Sequence, residues 1–298
     1  MTALQNLSNL HIHLNALESS LAFPGPRKLT AEEISETEKL LHALGKPSTE
    51  KFSFEHDGSR WRGQYDTEAV DGTWMILRQL PMVAPTLDTL PSPLPTAIYN
   101  ALMSPDIGRG GLIHIAGGPG CGKTTTGSAT AISRLLEYGG MCTTIEDPDE
   151  MKMNGWHGKG YCSQHCIDNW GEAMKRALRC QPSGSKNLMM YVGEVRDTEA
   201  ARTMLRAANN GFLVISTGFG ADIISGIETF LQYLPPNEHG QFANALRLIV
   251  YQHLDNEAQS LTVKMLRSES ALSRVAATIR GGNLQGLLDE MMYQDTSS

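Results

Sequence analysis

The chain has 298 residues, of which 41% are hydrophobic and 19% are charged. This composition is typical of a globular protein with one large or two modest domains, and it argues against a disordered chain. The formal net charge of −7 is opposite to that of proteins that coat nucleic acid, so we expect no direct nucleic-acid partner. The first 20 residues lack the pattern of a signal peptide, and no apolar stretch approaches the roughly 18 residues that cross a bilayer. We therefore expect a cytoplasmic protein.

The first part of the chain is predicted to form a small α+β domain over residues 1–80. Alternating polar and apolar residues predict four strands, over residues 10–14, 51–56, 60–65 and 73–79. One helix is predicted over residues 30–43, because Thr30 and Glu33 have the spacing of a capping box. Five prolines between positions 81 and 95 then favour extended backbone, so residues 81–97 are predicted to be a linker.

After the linker, predicted strands alternate with predicted helices. The strands are expected over residues 111–116, 140–145, 188–192 and 212–216, and the helices over residues 123–138, 168–180 and 198–208. Strands that are separated by helices predict a parallel sheet in a three-layer α/β domain, here over residues 98–298. From residue 223 onward the pattern favours mainly helix, with one strand near residues 261–265.

A phosphate-binding loop follows the first of these strands. The pattern G-x-x-x-x-G-K-[ST] is matched by Gly117, Gly118, Pro119, Gly120, Cys121, Gly122, Lys123 and Thr124. Such a loop binds ATP with backbone N–H groups, the lysine reaches the β and γ phosphates, and the threonine hydroxyl binds Mg²⁺. We expect these roles for Lys123 and Thr124, with Thr125 also at the nucleotide. Kinases, GTPases, helicases and motors all share the loop, so it does not name the reaction.

Two carboxylates are predicted at strand ends near this loop. Glu194 follows a strand that we expect to lie next to the strand of the phosphate-binding loop, and Glu146 precedes Asp147 at the end of another strand. A carboxylate beside the γ phosphate can orient Mg²⁺ or polarise the attacking water. The pair favours ATP hydrolysis, with Glu194 and Glu146 as the catalytic candidates. The alternative for each is a solvated acid at a strand end.

The order of these motifs resembles the type II/type IV secretion ATPases, a superfamily of PilT-like and GspE-like motors. The resemblance rests on the phosphate-binding loop, TIEDP at 144–148 and GEVRD at 193–197. It extends to most of the chain, through residues 9–11, 51–55, 60–62, 76–81, 168–182, 246–254 and 275–284. The arrangement around residues 60–78 is similar to the conjugation and type IVB, DotB-like branch.

The resemblance implies a RecA-like P-loop ATPase domain preceded by a smaller, PAS-like α+β domain. It also implies a homo-hexamer in which Arg60, Arg62 and Arg78 of the first domain complete the ATP site. The partners would be the inner-membrane and other ATPase components of a secretion or pilus machine. Contact with the membrane, at the cytoplasmic face of the inner membrane, would then be made only through these partners.

Two phenylalanines depart from the family pattern. Phe219 stands where the family has the histidine of its T-L-H-T motif, and Phe212 stands at the histidine of T-G-H. This departure supports a second hypothesis, an ATP-binding structural or regulatory subunit with low turnover. A RecA-like DNA motor is disfavoured by the net charge. His157, Cys162, His165 and Cys166 could suggest zinc, but the pair Cys162 and Cys166 lacks a matching second pair at metal-binding spacing, so a loop with core-facing thiols is favoured instead.

Overall fold

The computed structural model describes residues 3–47, 50–147, 149–165, 175, 177, 179, 186–195, 197–255 and 260–296. The chain divides into two compact units. The smaller comprises Met1–Val83 with Glu150–Lys152, and the larger comprises Ala84–Asp149 with Met153–Ser298. The helix predicted over residues 168–180 lies almost entirely outside the described residues. Within the described part of the chain, no helix is long and apolar enough to cross a membrane.

The smaller unit contains a six-stranded antiparallel sheet and one α-helix, α1 (Ala31–Leu44). The sheet order is β3-β2-β1-β6-β5-β4. The strands are β1 (Asn9–His13), β2 (Leu21–Phe23), β3 (Arg27–Lys28), β4 (Lys51–His56), β5 (Ser59–Asp66) and β6 (Trp74–Leu80). Leu10, Ile12, Leu40, Trp61 and Leu77 are buried in its core. The alternating pattern therefore predicted the four long strands correctly, because one face of an antiparallel sheet packs on the core.

The start of α1 confirms the predicted capping box. The Thr30 hydroxyl accepts a hydrogen bond from Glu33 N, and the Glu33 carboxylate accepts one from Thr30 N. Arg27 donates two further hydrogen bonds to the same carboxylate, at 2.8 and 2.6 Å. These contacts hold the pKa of Glu33 down to about 2, with the Arg27 hydrogen bonds as the largest cause. Glu33 therefore ties the helix start to β3.

The larger unit is built on an eight-stranded sheet with the order β14-β13-β7-β12-β11-β8-β10-β9. Its strands are β7 (Gly111–Gly117), β8 (Gly140–Ile145), β9 (Gly155–His157), β10 (Gly160–Ser163), β11 (Leu188–Val192), β12 (Leu213–Gly218), β13 (Leu246–Asp255) and β14 (Ser260–Arg267). Neighbouring strands from β13 to β10 are parallel, whereas β14 and β9 pair antiparallel at the two edges. The prediction of a parallel sheet is thus confirmed for its central strands.

Helices pack around this sheet. The α-helices whose bounds are described are α2 (Thr96–Leu102), α3 (Lys123–Tyr138), α4 (Thr198–Asn209), α5 (Ile223–Leu231), α6 (His239–Ala245), α7 (Arg274–Arg280) and α8 (Leu287–Thr296). Short 3-10 helices lie at Leu17–Ser19, Leu87–Thr89, Pro105–Arg109, Pro236–Glu238 and Leu284–Gly286. The main core lies between α4–α7 and the buried strands, with Phe230 and Phe242 among its largest side chains.

Two features of the larger unit differ from the sequence-based expectation. The region after residue 223 was expected to be mainly helical with one strand, but β13 and β14 form a long antiparallel pair. The apolar run Leu248–Val250 is compatible with a buried strand and with a buried helix, and its length does not distinguish the two. The β9–β10 hairpin was also not predicted, because its strands are short and rich in glycine.

The proline-rich segment contributes to the packing of the larger unit. Leu87 and Leu90 are buried, and Leu87 N donates a hydrogen bond of 2.9 Å to Ser133 Oγ on α3. The boundary between the two units lies between Val83 and Ala84, within the segment predicted to be a linker. A hinge role for this segment stays a prediction.

Candidate active site

The phosphate-binding loop lies between the end of β7 and the start of α3. Gly120 and Gly122 have φ values of 72° and 82°, a left-handed conformation that favours glycine. No atom lies within 4 Å of where a Cβ on Gly118 or Gly120 would be, so this part of the loop faces open space. An anion in that space would meet the N-terminus of α3, whose dipole favours negative charge.

Gln252 of β13 supports the loop from behind. Its Nε2 donates a short hydrogen bond to the Cys121 carbonyl. A Cβ on Gly117 would collide with the Gln252 carbonyl oxygen, so only glycine fits there. No role was predicted for Gln252 from the sequence. The only signal was its place in segment 246–254, which carries part of the family resemblance.

Lys123 is buried inside the loop. Its Nζ donates hydrogen bonds to the carbonyl oxygens of Gly117 and Gly118, at 3.0 and 2.7 Å. The Phe219 ring centroid lies 4.8 Å from the same Nζ, within the range of a cation–π contact. The phenylalanine that replaces the family histidine therefore lies against the lysine predicted to bind phosphate. Thr124 and Thr125 follow in the first turn of α3 and are half-buried.

The two candidate carboxylates follow neighbouring strands. Glu146 comes directly after β8 and is 2% exposed, whereas Glu194 comes two residues after β11 and is half-buried. Gly193 N donates a hydrogen bond of 3.1 Å to the Ile145 carbonyl. A Cβ on Gly193 would lie 3.4 Å from Glu146 Cγ. The structure thus places the Glu146 side chain beside the turn that leads to Glu194.

The expectation that β11 adjoins the strand of the phosphate-binding loop is wrong. β12 lies between β7 and β11. Thr217 of β12 contacts the residues that follow β11. Its hydroxyl donates a hydrogen bond to the Gly193 carbonyl, and its carbonyl accepts one from Val195 N at 3.3 Å. The turn that carries Glu194 is therefore fixed to β12, the strand that continues to Phe219.

His114 lies in the middle of β7 and was not identified from the sequence. Its Nδ1 is 2.9 Å from Ser216 Oγ of β12. Burial, aided by the Lys123 charge, lowers its pKa to about 3, so the ring is neutral at physiological pH. A Cβ on Gly218 would lie 2.7 Å from the His114 ring. Gly218 is therefore needed where β12 passes His114 just before Phe219.

A sequence model of the family described as "Type II/IV secretion system protein" matches residues 87–282. The chain belongs to this family. The matched residues include the phosphate-binding loop, Glu146, Glu194 and Phe219, so the recognition made from the motifs is confirmed.

Relatives of this type II/IV secretion family member include proteins of known sequence and structure. The chain is 29% identical to the uncharacterized protein YggR of Escherichia coli K12, over 72% of this chain and 65% of the relative. Its fold is similar to that of the pilus retraction motor PilT with bound ADP, with a TM-score of 0.76, 24% identity and coverage of 97% and 86% of the two chains. It is also similar to the Legionella pneumophila ATPase DotB, with a TM-score of 0.69, 20% identity and coverage of 98% and 83%.

These comparisons confirm the predicted fold class, an α/β ATPase-type domain preceded by a smaller sheet domain. The sequence match to YggR spans just under two thirds of that relative. The likeness to PilT and DotB concerns the fold alone, so the DotB-like branch stays a prediction.

The three predicted arginines lie on the sheet of the smaller unit. Arg60 and Arg62 are on β5, and Arg78 on β6 is the direct cross-strand partner of Arg62. Residues two apart on a strand and a direct partner share one face, so the three guanidinium groups occupy the same side of the sheet. Arg62 Nη1 is 3.4 Å from Oε1 of Glu150, a residue that also belongs to the smaller unit. Their role at the nucleotide stays a prediction.

Proposed function

We propose that this protein is a homo-hexameric ATPase that powers a bacterial type IV secretion, conjugation or type IV pilus machine. The observation that carries the proposal is the phosphate-binding loop between β7 and α3, combined with carboxylates at the ends of β8 and β11. In a parallel sheet these strand ends meet at one edge, which is where α/β proteins bind their ligands. Membership of the type II/IV secretion family supports the same conclusion.

The position of each residue supports the chemistry that we propose for it. Backbone N–H groups of residues 117–124 and the Lys123 ammonium bind the β and γ phosphates. To reach the phosphates, Lys123 gives up its hydrogen bonds to the carbonyls of Gly117 and Gly118. The Thr124 hydroxyl offers Mg²⁺ an oxygen ligand, and Glu146 supports the shell of the metal or water. Glu194 acts as the general base that activates the attacking water.

The assembly is inferred from the family. Arg60, Arg62 and Arg78 complete the nucleotide site of the hexamer, since planar guanidinium groups neutralise γ-phosphate charge and respond to its loss. Hydrolysis then moves the smaller domain against the larger. The machine partners are inner-membrane and other ATPase components, which hold the protein at the cytoplasmic face of the membrane.

The test uses two variants with different expected defects. Lys123→Ala should abolish ATP binding in calorimetry while the fold is kept. Glu194→Gln should keep ATP binding and lower kcat by at least about 10²-fold, as expected for loss of a positioned base. Wild-type turnover by Glu194→Gln would move the base elsewhere, with Glu146 as the first candidate. Sedimentation with and without ATP tests the hexamer, and a monomer in both conditions at micromolar concentration contradicts the motor.

A second function, an ATP-binding regulatory subunit with low turnover, is favoured by one specific contact. Phe219 lies against Lys123 and has no hydrogen-bond donor in its side chain, unlike the histidine of the family pattern. The steady-state ATPase rate of the purified oligomer distinguishes the two functions. A rate near zero that a machine partner does not raise supports the regulatory subunit.

A further inference from the structure

A side-chain amide contacts the buried Glu146 carboxylate. Gln164 Nε2 donates a hydrogen bond of 3.0 Å to Glu146 Oε1. Gln164 directly follows β10, the strand that pairs in parallel with β8, and Glu146 directly follows β8. The two residues therefore leave adjacent strands at the same edge of the sheet. A hydrogen bond that is shielded from water is stronger than the same bond at the surface.

The direction in which the Gln164 amide points is fixed by its other end. Its Oε1 accepts hydrogen bonds from Met153 N at 2.9 Å and from Asn154 N at 3.2 Å. A flipped amide would place its NH₂ group against these two N–H donors, so the observed orientation is the one that satisfies both ends. The NH₂ group of Gln164 is thereby directed at Glu146.

The backbone around Gln164 is fixed as well. Gln164 N donates to Asn154 Oδ1 at 3.2 Å, which closes the base of the β9–β10 hairpin. The next residue, His165, accepts a hydrogen bond from Glu146 N at 3.3 Å and donates one to Thr144 Oγ1 at 3.1 Å. Side chain and main chain of residues 164–165 therefore both hold the end of β8.

We propose that Gln164 is a positioning residue that fixes the Glu146 carboxylate for ATP hydrolysis. The inference rests on the proposed function of Glu146. A carboxylate with a rotatable side chain must be held in one rotamer to act on a metal shell or a water, and partners behind such ligands commonly contribute 10- to 100-fold to activity. The residues that flank the β9–β10 hairpin are then part of the active site, because they provide both the amide and the two N–H groups that direct it.

The test compares two substitutions of Gln164 with a neighbouring control. Gln164→Ala should lower kcat about tenfold and change KM for ATP less than about threefold, since binding by the phosphate loop is untouched. Gln164→Glu keeps acceptors for Met153 N and Asn154 N but turns an oxygen toward Glu146, so it should lower kcat at least as much. Ser163→Ala removes the 3.0 Å contact between Ser163 Oγ and His165 Nε2 in the same hairpin and should keep wild-type kcat.

A double-mutant cycle separates positioning from a general structural effect. Gln164→Ala should have no further effect on kcat in a Glu146→Gln background, because it acts through that carboxylate. If the losses in kcat from Gln164→Ala and Glu146→Gln add in the double variant, the positioning role of Gln164 is wrong, whereas the proposed role of Glu146 still holds. If Glu146→Gln alone has wild-type kcat, the proposed role of Glu146 fails instead.

A crystal structure of Gln164→Ala gives a readout that needs no turnover. The Glu146 side chain is expected to leave its wild-type rotamer or to occupy more than one. An unchanged single rotamer contradicts the proposal, whatever the rate of the enzyme.

Discussion

Charged side chains in the two units of the molecule can be compared by how they are held. In the smaller unit, the basic partners of two ion pairs, Arg27 with Glu33 and Lys152 with Glu55, are nearly half exposed. In the larger unit, Lys123 and Arg134 are buried, and each donates hydrogen bonds to backbone carbonyls. Neutral, fixed dipoles solvate such a charge without neutralising it, which leaves it able to act on a charged ligand or to hold the fold together.

Arg134 provides the largest expected effect on stability. Its Nη1 donates to the carbonyls of Leu102 and Ser104 at 2.8 and 3.0 Å, and burial lowers its pKa to about 10. Arg134→Met would leave both carbonyls without this donor, so we expect a loss of about 3 kcal/mol in the free energy of unfolding. Urea denaturation measures it.

A surface arginine serves as the matched control. Arg202 on α4 donates two hydrogen bonds to Glu238, at 2.7 and 2.8 Å, but 46% of its side chain is exposed. Arg202→Met should therefore destabilise far less than Arg134→Met, since water replaces the lost contacts. Equal losses for the two variants would contradict the distinction between buried and surface charges.

Phe219→His tests whether the neighbour of Lys123 limits turnover. An imidazole can donate a hydrogen bond toward the phosphate side of the site, which the phenyl ring cannot do. We expect wild-type turnover to be slow, and Phe219→His to raise kcat by about tenfold and to increase cooperativity in ATP. Phe219→Leu, which also lacks a donor, is the control and should show no gain. A wild-type enzyme that is already fast and cooperative, and is unchanged by Phe219→His, would refute this expectation.

The parts of the site that could be predicted are local in sequence. The bounds of α3, β8 and β11 match the prediction because each has a clear period and clear end signals. The contacts that complete the site join residues far apart in the chain. Gln164 reaches Glu146 across 18 residues, His114 reaches Ser216 across 102, and Gln252 reaches Cys121 across 131.

No local pattern marks Gln164 or His114, since a glutamine or a histidine in or beside a strand is equally compatible with a solvent-exposed position. Gln252 is marked only by its place in the family-like segment 246–254. Their role depends on which strands become neighbours. That order was itself predicted incorrectly where β12 separates β7 from β11. Long-range pairing is thus the step that the sequence alone does not determine here. In the smaller unit, alternation predicted the four long strands but not their order in the sheet, nor the short strands β2 and β3.

The smallest expected effect concerns the Arg27–Glu33 pair in the smaller unit. Glu33 has its pKa lowered from 4.5 to about 2, so the ionised carboxylate is favoured in the folded state. Its contribution to stability is present above pH 4.5 and is lost as the pH falls toward 2. Arg27 is 46% exposed, and solvent screening reduces the expected loss for Glu33→Gln to about 1 kcal/mol at pH 7. The difference in the free energy of unfolding between wild type and variant should shrink on acidification from pH 4.5 toward 2, as followed by urea denaturation at several pH values.

Glu36→Gln, which removes the exposed pair with Lys39 in the same helix, is the control and should destabilise the protein less than Glu33→Gln. A loss for Glu33→Gln that is independent of pH would show that the cap geometry, and not the charge, stabilises this helix.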